Sequence, residues 1–127
     1  MKKDNVVRDK SYGFALRIVN LYKYLSVEKK EFVLSKQILR SGTAIGALIR
    51  ESEYAQSTAD FINKLHIALK EANETDYWLE LLKDGKYISA KEYKSIKPEI
   101  LEIISLLVAI IKTTKTKLAG EKTKKKK

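Results

Sequence analysis

Residues 37–82, QILRSGTAIGALIRESEYAQSTADFINKLHIALKEANETDYWLELL, decide the fold of this chain. They read as two amphipathic helices joined at a capped turn. With Leu34 just before them, Ile38, Ser41, Ile45, Leu48, Ser52 and Ala55 alternate at steps of four and three, which is one helical face. Phe61, Leu65, Ala68, Ala72, Thr75, Leu79 and Leu82 repeat that alternation, and Ile62, Leu69, Tyr77, Trp78 and Leu81 widen the stripe. Ser57 is placed to cap the second helix, with Asp60 favouring its N-terminal dipole. Asp84-Gly85-Lys86 stops it, with Gly85 the expected left-handed residue.

The middle of the first of these helices is unusually small: Ser41, Gly42, Ala44, Gly46 and Ala47. Each helical glycine costs about 1 kcal/mol relative to alanine. Gly42 and Gly46 share a face, so the cost points to close approach by a neighbouring helix. A phosphate-binding loop explains them less well, because neither G-x-G-x-x-G nor a P-loop pattern is present.

Two further periodic segments flank the pair. Phe14, Ile18, Leu21 and Leu25 form one face of a helix over Ser11–Leu25, with Val6 and Val7 available for an added turn. Ser89-Ala90-Lys91-Glu92 is a capping box for the last helix. There Ile96, Ile100, Ile103, Leu107 and Ile110 make one stripe, and Leu101, Ile104, Val108 and Ile111 a second. One stripe suffices for a lone bundle, so the surplus suggests a subunit interface, with extra burial within the monomer as the alternative. The expected architecture is all-α, an antiparallel up-down-up-down four-helix bundle over residues 1–111. Its helices are expected at about 6–26, 31–55, 58–84 and 90–118, with a kink near Pro98. Residues 112–127 are read as a lysine-rich end, partly disordered.

Composition narrows the function. Five glycines and one proline in 127 residues disfavour a turn-rich all-β fold. The absence of cysteine excludes disulfides and thiolate metal sites. No apolar run is long enough to span a bilayer and no signal-peptide core is present, so a cytoplasmic location without membrane contact is expected. No catalytic residues, metal or cofactor are expected. The single histidine, His66, has Asn63 three residues before it, not the glutamate of a diiron bundle. No serine sits in a nucleophile elbow. Glu71 and Glu74 could do acid–base work, but they more readily answer Arg40 and Arg50 on the preceding helix, in a structural polar network with Gln37 and Glu51. Tyr77 and Trp78 could stack a base, yet their heptad positions favour packing.

Charge supplies the remaining candidate. Residues 112–127 hold eight lysines and one glutamate, a net +7 out of the chain's +10. The candidate nucleic-acid contacts are Arg8, Arg17, Lys36, Arg40, Arg50, Lys64 and Lys70 on the helices, with Lys122, Lys124, Lys125, Lys126 and Lys127 in the tail. No helix-turn-helix, zinc finger or RNP signature appears, so phosphate contact without sequence-specific readout is expected.

The segments SYGFALRIVNLYKYL and 37–82 resemble the four-helix-bundle proteins encoded in intervening sequences of bacterial 23S ribosomal RNA genes, often labelled S23 ribosomal proteins. The resemblance covers Val6 to Ile111. Gln37, Arg40, Ile45, Glu51, Ser57, Phe61, Ala68 and Glu74 follow the family's order and spacing. The family often has serine at the position of Ala44 and asparagine at that of Leu48; both are apolar here. The resemblance implies a left-handed bundle that assembles as a homopentamer, with no catalytic residues to carry over. It also implies kinship with the accessory variability protein of diversity-generating retroelements, a basic pentamer that binds nucleic acid and a reverse transcriptase. The expected function is therefore that of a non-enzymatic homo-oligomer that binds RNA through basic residues and the tail. The alternative is a scaffold for another protein.

Overall fold

The computed structural model describes the backbone of residues 3–126 and the side chains of residues 6–123. Within them the chain forms four α-helices: α1 (Lys3–Val27), α2 (Leu34–Ser52), α3 (Thr58–Asp84) and α4 (Ala90–Lys126). Each helix packs against its neighbours in sequence, and α1 closes the ring against α4; among the described residues the Cα atoms of diagonal helices do not come within 8 Å. Short connections make each consecutive pair antiparallel, which gives an all-α four-helix bundle.

The core runs the length of the bundle. α1 contributes Phe14, Ile18 and Leu25; α2 contributes Ile38, Ile45 and Ile49; α3 contributes Leu65, Leu79 and Leu82; α4 contributes Ile100, Ile103 and Leu107, all fully buried. Burial of each such side chain contributes about 1.5–3 kcal/mol. Between the large residues α3 carries Ala68 and Ala72, both fully buried. α2 carries Gly42, whose absent Cβ would lie 2.8 Å from Ile18 Cγ1. Helices approach closely where these small residues face a neighbour.

The buried face of α2 departs from the expected stripe. Ser35 and Ile49 are buried, whereas Leu48 is only half-buried. Ser41 is buried against α3, where its hydroxyl meets that of Thr75 at 2.9 Å. Thr75 spends its own proton on the Glu71 carbonyl at 2.8 Å, so Ser41 is the donor within the pair.

The helix ends follow from local chemistry. α2 begins at Leu34, later than the sequence suggests. Its N-cap residue Val33 has no capping side chain. Glu31 supplies the cap instead: its carboxylate accepts from the backbone N–H groups of Val33 (3.1 Å), Leu34 (3.0 Å) and Ser35 (2.7 Å). α3 starts as expected, with Ser57 Oγ accepting from Asp60 N at 3.1 Å. Its C-terminus corrects the sequence reading. Gly85 has φ −76°, and the left-handed residue is Lys86, at φ 65°. Tyr87 N donates to Leu82 O and Lys86 N to Lys83 O, which is a Schellman motif with lysine at the position usually taken by glycine. The capping box of α4 forms, with Ser89 N donating to Glu92 Oε1 and Glu92 N to Ser89 Oγ, each at 3.0 Å.

α4 continues through Pro98 and past the expected end near residue 118, to Lys126. At about 1.5 Å per residue it is some 55 Å long, against about 40 Å for α3. The Asp76–Lys97 ion pair marks the antiparallel register of these two helices. That register puts Thr58, the start of α3, opposite roughly residue 115 of α4. The last turns of α4 therefore run beyond the four-helix body. Among the described residues, no helix is long and apolar enough to cross a membrane.

Candidate nucleic-acid interface

The candidate cations separate into two classes. Arg8, Arg17 and Arg40 are each engaged by carboxylates. Arg8 Nη1 donates to Glu53 Oε1 at 3.3 Å, and its Nε lies 3.6 Å from Asp9. Arg17 pairs with Glu99 on α4 and also donates to the Ser95 carbonyl (3.2 Å) and Ser95 Oγ (3.1 Å). Arg40 Nη1 forks onto both oxygens of Glu71, at 3.1 and 3.2 Å, while its Nη2 donates to Glu74. The charge on these three arginines is largely answered within the chain.

The Arg40 cluster is the polar network of the bundle. Trp78 Nε1 adds a bond to Glu74 Oε2 at 3.0 Å. This indole bond, with the Arg40 guanidinium, outweighs burial and holds the Glu74 carboxyl below its ordinary range. Hydrogen bonds from Arg40 to Glu71 and Glu74 raise the guanidinium in turn. The two other expected members do not join. Gln37 and Glu51 are exposed and make no side-chain hydrogen bond among the described residues. Arg50 also differs from expectation. It takes no carboxylate among the described residues but lies over the Tyr12 ring, with Cζ 5.5 Å from the centroid. Tyr12 carries no signal in its own segment that would mark this contact. It depends on the α1–α2 register alone.

The second class of cations has no such partners. Among the described residues, Lys36, Lys64 and Lys70 enter no ion pair, and neither do Lys112, Lys115, Lys117 and Lys122 on α4. Lys36 and Lys70 are exposed, and Lys64 is half-buried. The side chains of Lys124, Lys125 and Lys126, and all of Lys127, lie outside the described residues. Two ion pairs that the sequence does not reveal, Lys10–Glu102 at 3.0 Å and Asp76–Lys97, tie α4 to its neighbours. Their members are distant in sequence, and only the fold brings them together.

The expected second stripe of α4 is partly buried. Ile111 is in the core and Ile104 is half-buried, while Leu101 (44%) and Val108 (48%) stay open to solvent. Val108 forms one side of a shallow groove with His66 and Leu69 of α3, rimmed by Lys112 and Lys115. Among the described residues, no group of three or more His, Asp or Glu side chains is placed to hold a metal ion.

Comparison with known proteins adds to this geometry. A family model described as 23S rRNA-intervening sequence protein matches residues 3–109. A crystal structure of a protein of unknown function from the S23 ribosomal protein family, from Bacteroides thetaiotaomicron VPI-5482, superposes with a TM-score of 0.86. That chain is 68% identical, and the match covers 87% of this chain and 99% of that one. No functionally curated protein matches.

Proposed function

The chain belongs to the 23S rRNA-intervening sequence protein family, and from that premise we propose that it is a non-enzymatic, self-associating bundle that binds RNA by its phosphate backbone. One observation carries the reading. Arg8, Arg17 and Arg40 on the body of the bundle are met by carboxylates, whereas α4 beyond Ile111 presents lysines with Glu121 as the sole acidic residue. A basic helix running past the body offers a row of cations to a polyanion. Such contacts displace counterions and position a nucleic acid without reading its sequence. The exposed Leu101 and Val108 support self-association, which would repeat the basic helix; the family resemblance favours a pentamer.

The test is binding of a mixed-sequence RNA at several salt concentrations, with Lys115, Lys117 and Lys122 replaced by glutamine in a second protein. Affinity should fall steeply with salt, and less steeply for the variant. Light scattering on the same samples tests assembly, since a particle near 14.6 kDa would contradict it. A second reading, a scaffold for another protein, draws on the same exposed α4 row. It would be favoured by capture of a protein partner from nuclease-treated extract, together with failure to bind RNA.

A further inference from the structure

A groove of about 290 Å³ lies between α1 and α2. Its floor is made by Ala15, Gly46 and Ala47, and Arg8, Tyr12 and Arg50 stand around it. Tyr12 is 54% exposed, although an aromatic ring of that size gains more from burial. Arg50 rests over the ring and has no carboxylate partner among the described residues. No carboxylate lines the groove, and Arg8 at its edge is engaged by Glu53 and Asp9. The small floor leaves room for a flat group to lie against the helices. At Gly46 a Cβ would reach no closer than 3.5 Å to Ser11, so tight helix packing does not account for the small residue there.

The groove also has a telling position. Arg8 reaches Glu53, just past the end of α2. Val7, Phe61 and Ile110 meet around the same end. The lysine-rich part of α4 leaves the bundle there too. The groove and the lysine-rich part of α4 therefore lie toward the same end of the bundle.

We propose that the groove takes one unpaired nucleotide of the bound RNA, with Arg50 turning from the Tyr12 ring to donate to a flanking phosphate and the base stacking on the ring face it uncovers. An aromatic face beside a guanidinium recognises any base, because every base has a π-face, and the planar guanidinium suits a phosphate. A base paired inside an A-form helix does not offer that face, so the site favours single strands or loops over duplex. This inference rests on the RNA-binding reading and adds a structural preference to it.

The test uses the full chain with a single-stranded RNA of roughly 20 nucleotides and the duplex of the same sequence. Single-strand affinity should exceed duplex affinity, and Tyr12→Ala should lower it by about 5- to 150-fold and remove the preference. Tyr12→Phe should retain both, and Arg50→Gln should weaken single-strand binding. Ultraviolet crosslinking should place the RNA on Tyr12. Equal binding of both RNAs, unchanged by Tyr12→Ala, overturns the inference and leaves the lysine-based reading standing. If neither RNA binds at low salt, that reading fails and adenosine 5′-monophosphate tests the groove alone. Binding lost in Tyr12→Ala would keep a nucleotide site, and no binding would remove it. A change in assembly state on Tyr12→Ala would make the groove a contact between copies and also overturn the proposal.

Discussion

Gly42 stands against Ile18 so closely that a Cβ would lie 2.8 Å from Cγ1 and 2.9 Å from Cγ2. Both atoms sit on a β-branched carbon with little rotameric freedom, so α1 itself would have to move. Gly42→Ala is therefore expected to destabilise the bundle by about 1–3 kcal/mol, despite a helix-propensity gain of about 1 kcal/mol. Gly46→Ala, with its Cβ in ordinary contact with Ser11, should be neutral or stabilising by up to about 1 kcal/mol. Urea unfolding of the two variants checks the contrast. Equal effects would remove the argument for close approach.

Lys86 closes α3 in a left-handed conformation, at φ 65°. For a residue with a Cβ this costs about 1–2 kcal/mol, which glycine avoids. Lys86→Gly should raise stability by about 1 kcal/mol. A lower thermal midpoint would show that the lysine side chain does more than the backbone geometry indicates.

Pro98 removes the N–H that would bond to the Lys94 carbonyl, one turn earlier in α4. Arg17 spans this turn from α1, holding the Ser95 carbonyl, the Ser95 hydroxyl and Glu99. Pro98→Ala should stabilise the fold by about 1–3 kcal/mol. Arg17→Ala should cost about 1 kcal/mol, and the two effects should be non-additive because both act on the same turn. A double-mutant cycle by urea unfolding measures the coupling.

Acid should weaken the bundle through two carboxylates. Burial raises Glu31, but backbone N–H groups of Leu34, Ser35 and Val33 outweigh it and hold the group below its ordinary range. Glu74 is lowered by Trp78 and Arg40. A carboxyl depressed on folding contributes stability above its unfolded value, which is lost as pH falls through the folded one. Lys97 has the opposite sense. Burial lowers it, but Asp76 and Tyr93 raise it further, so its contribution is lost only as pH climbs past the ordinary lysine range. The thermal midpoint should fall below about pH 5, with a shallower fall in Glu74→Gln. Parallel curves for the two proteins would contradict the assignment.

Much of the architecture is legible in the sequence because its signals are local. Ser57 with Asp60, Ser89 with Glu92, and the four-three alternation place α3 and the start of α4 directly. The errors arise where a side chain acts at a distance. Glu31 caps α2 from three residues before Leu34, and the left-handed turn falls at Lys86, one residue after Gly85. The lysine run ends no helix by itself, so the limit of α4 is not written in composition. The candidate interface divides in the same way. Arg40, Glu71 and Glu74 could be paired from helical spacing, but Arg50 over Tyr12, Arg8 on Glu53 and Arg17 on Glu99 follow from interhelical register. That register takes Arg8 and Arg17 out of the free cations and leaves α4 as the principal basic surface.

The most direct test of RNA binding by α4 is the salt dependence of affinity for a single-stranded RNA, measured on the full chain and on the variant with Lys115, Lys117 and Lys122 changed to glutamine. The account predicts a linear fall of log K with log salt, and a slope shallower in the variant by about 0.7 for each phosphate that no longer meets a lysine. Absence of binding at low salt, or a slope that the three substitutions leave unchanged, would contradict it.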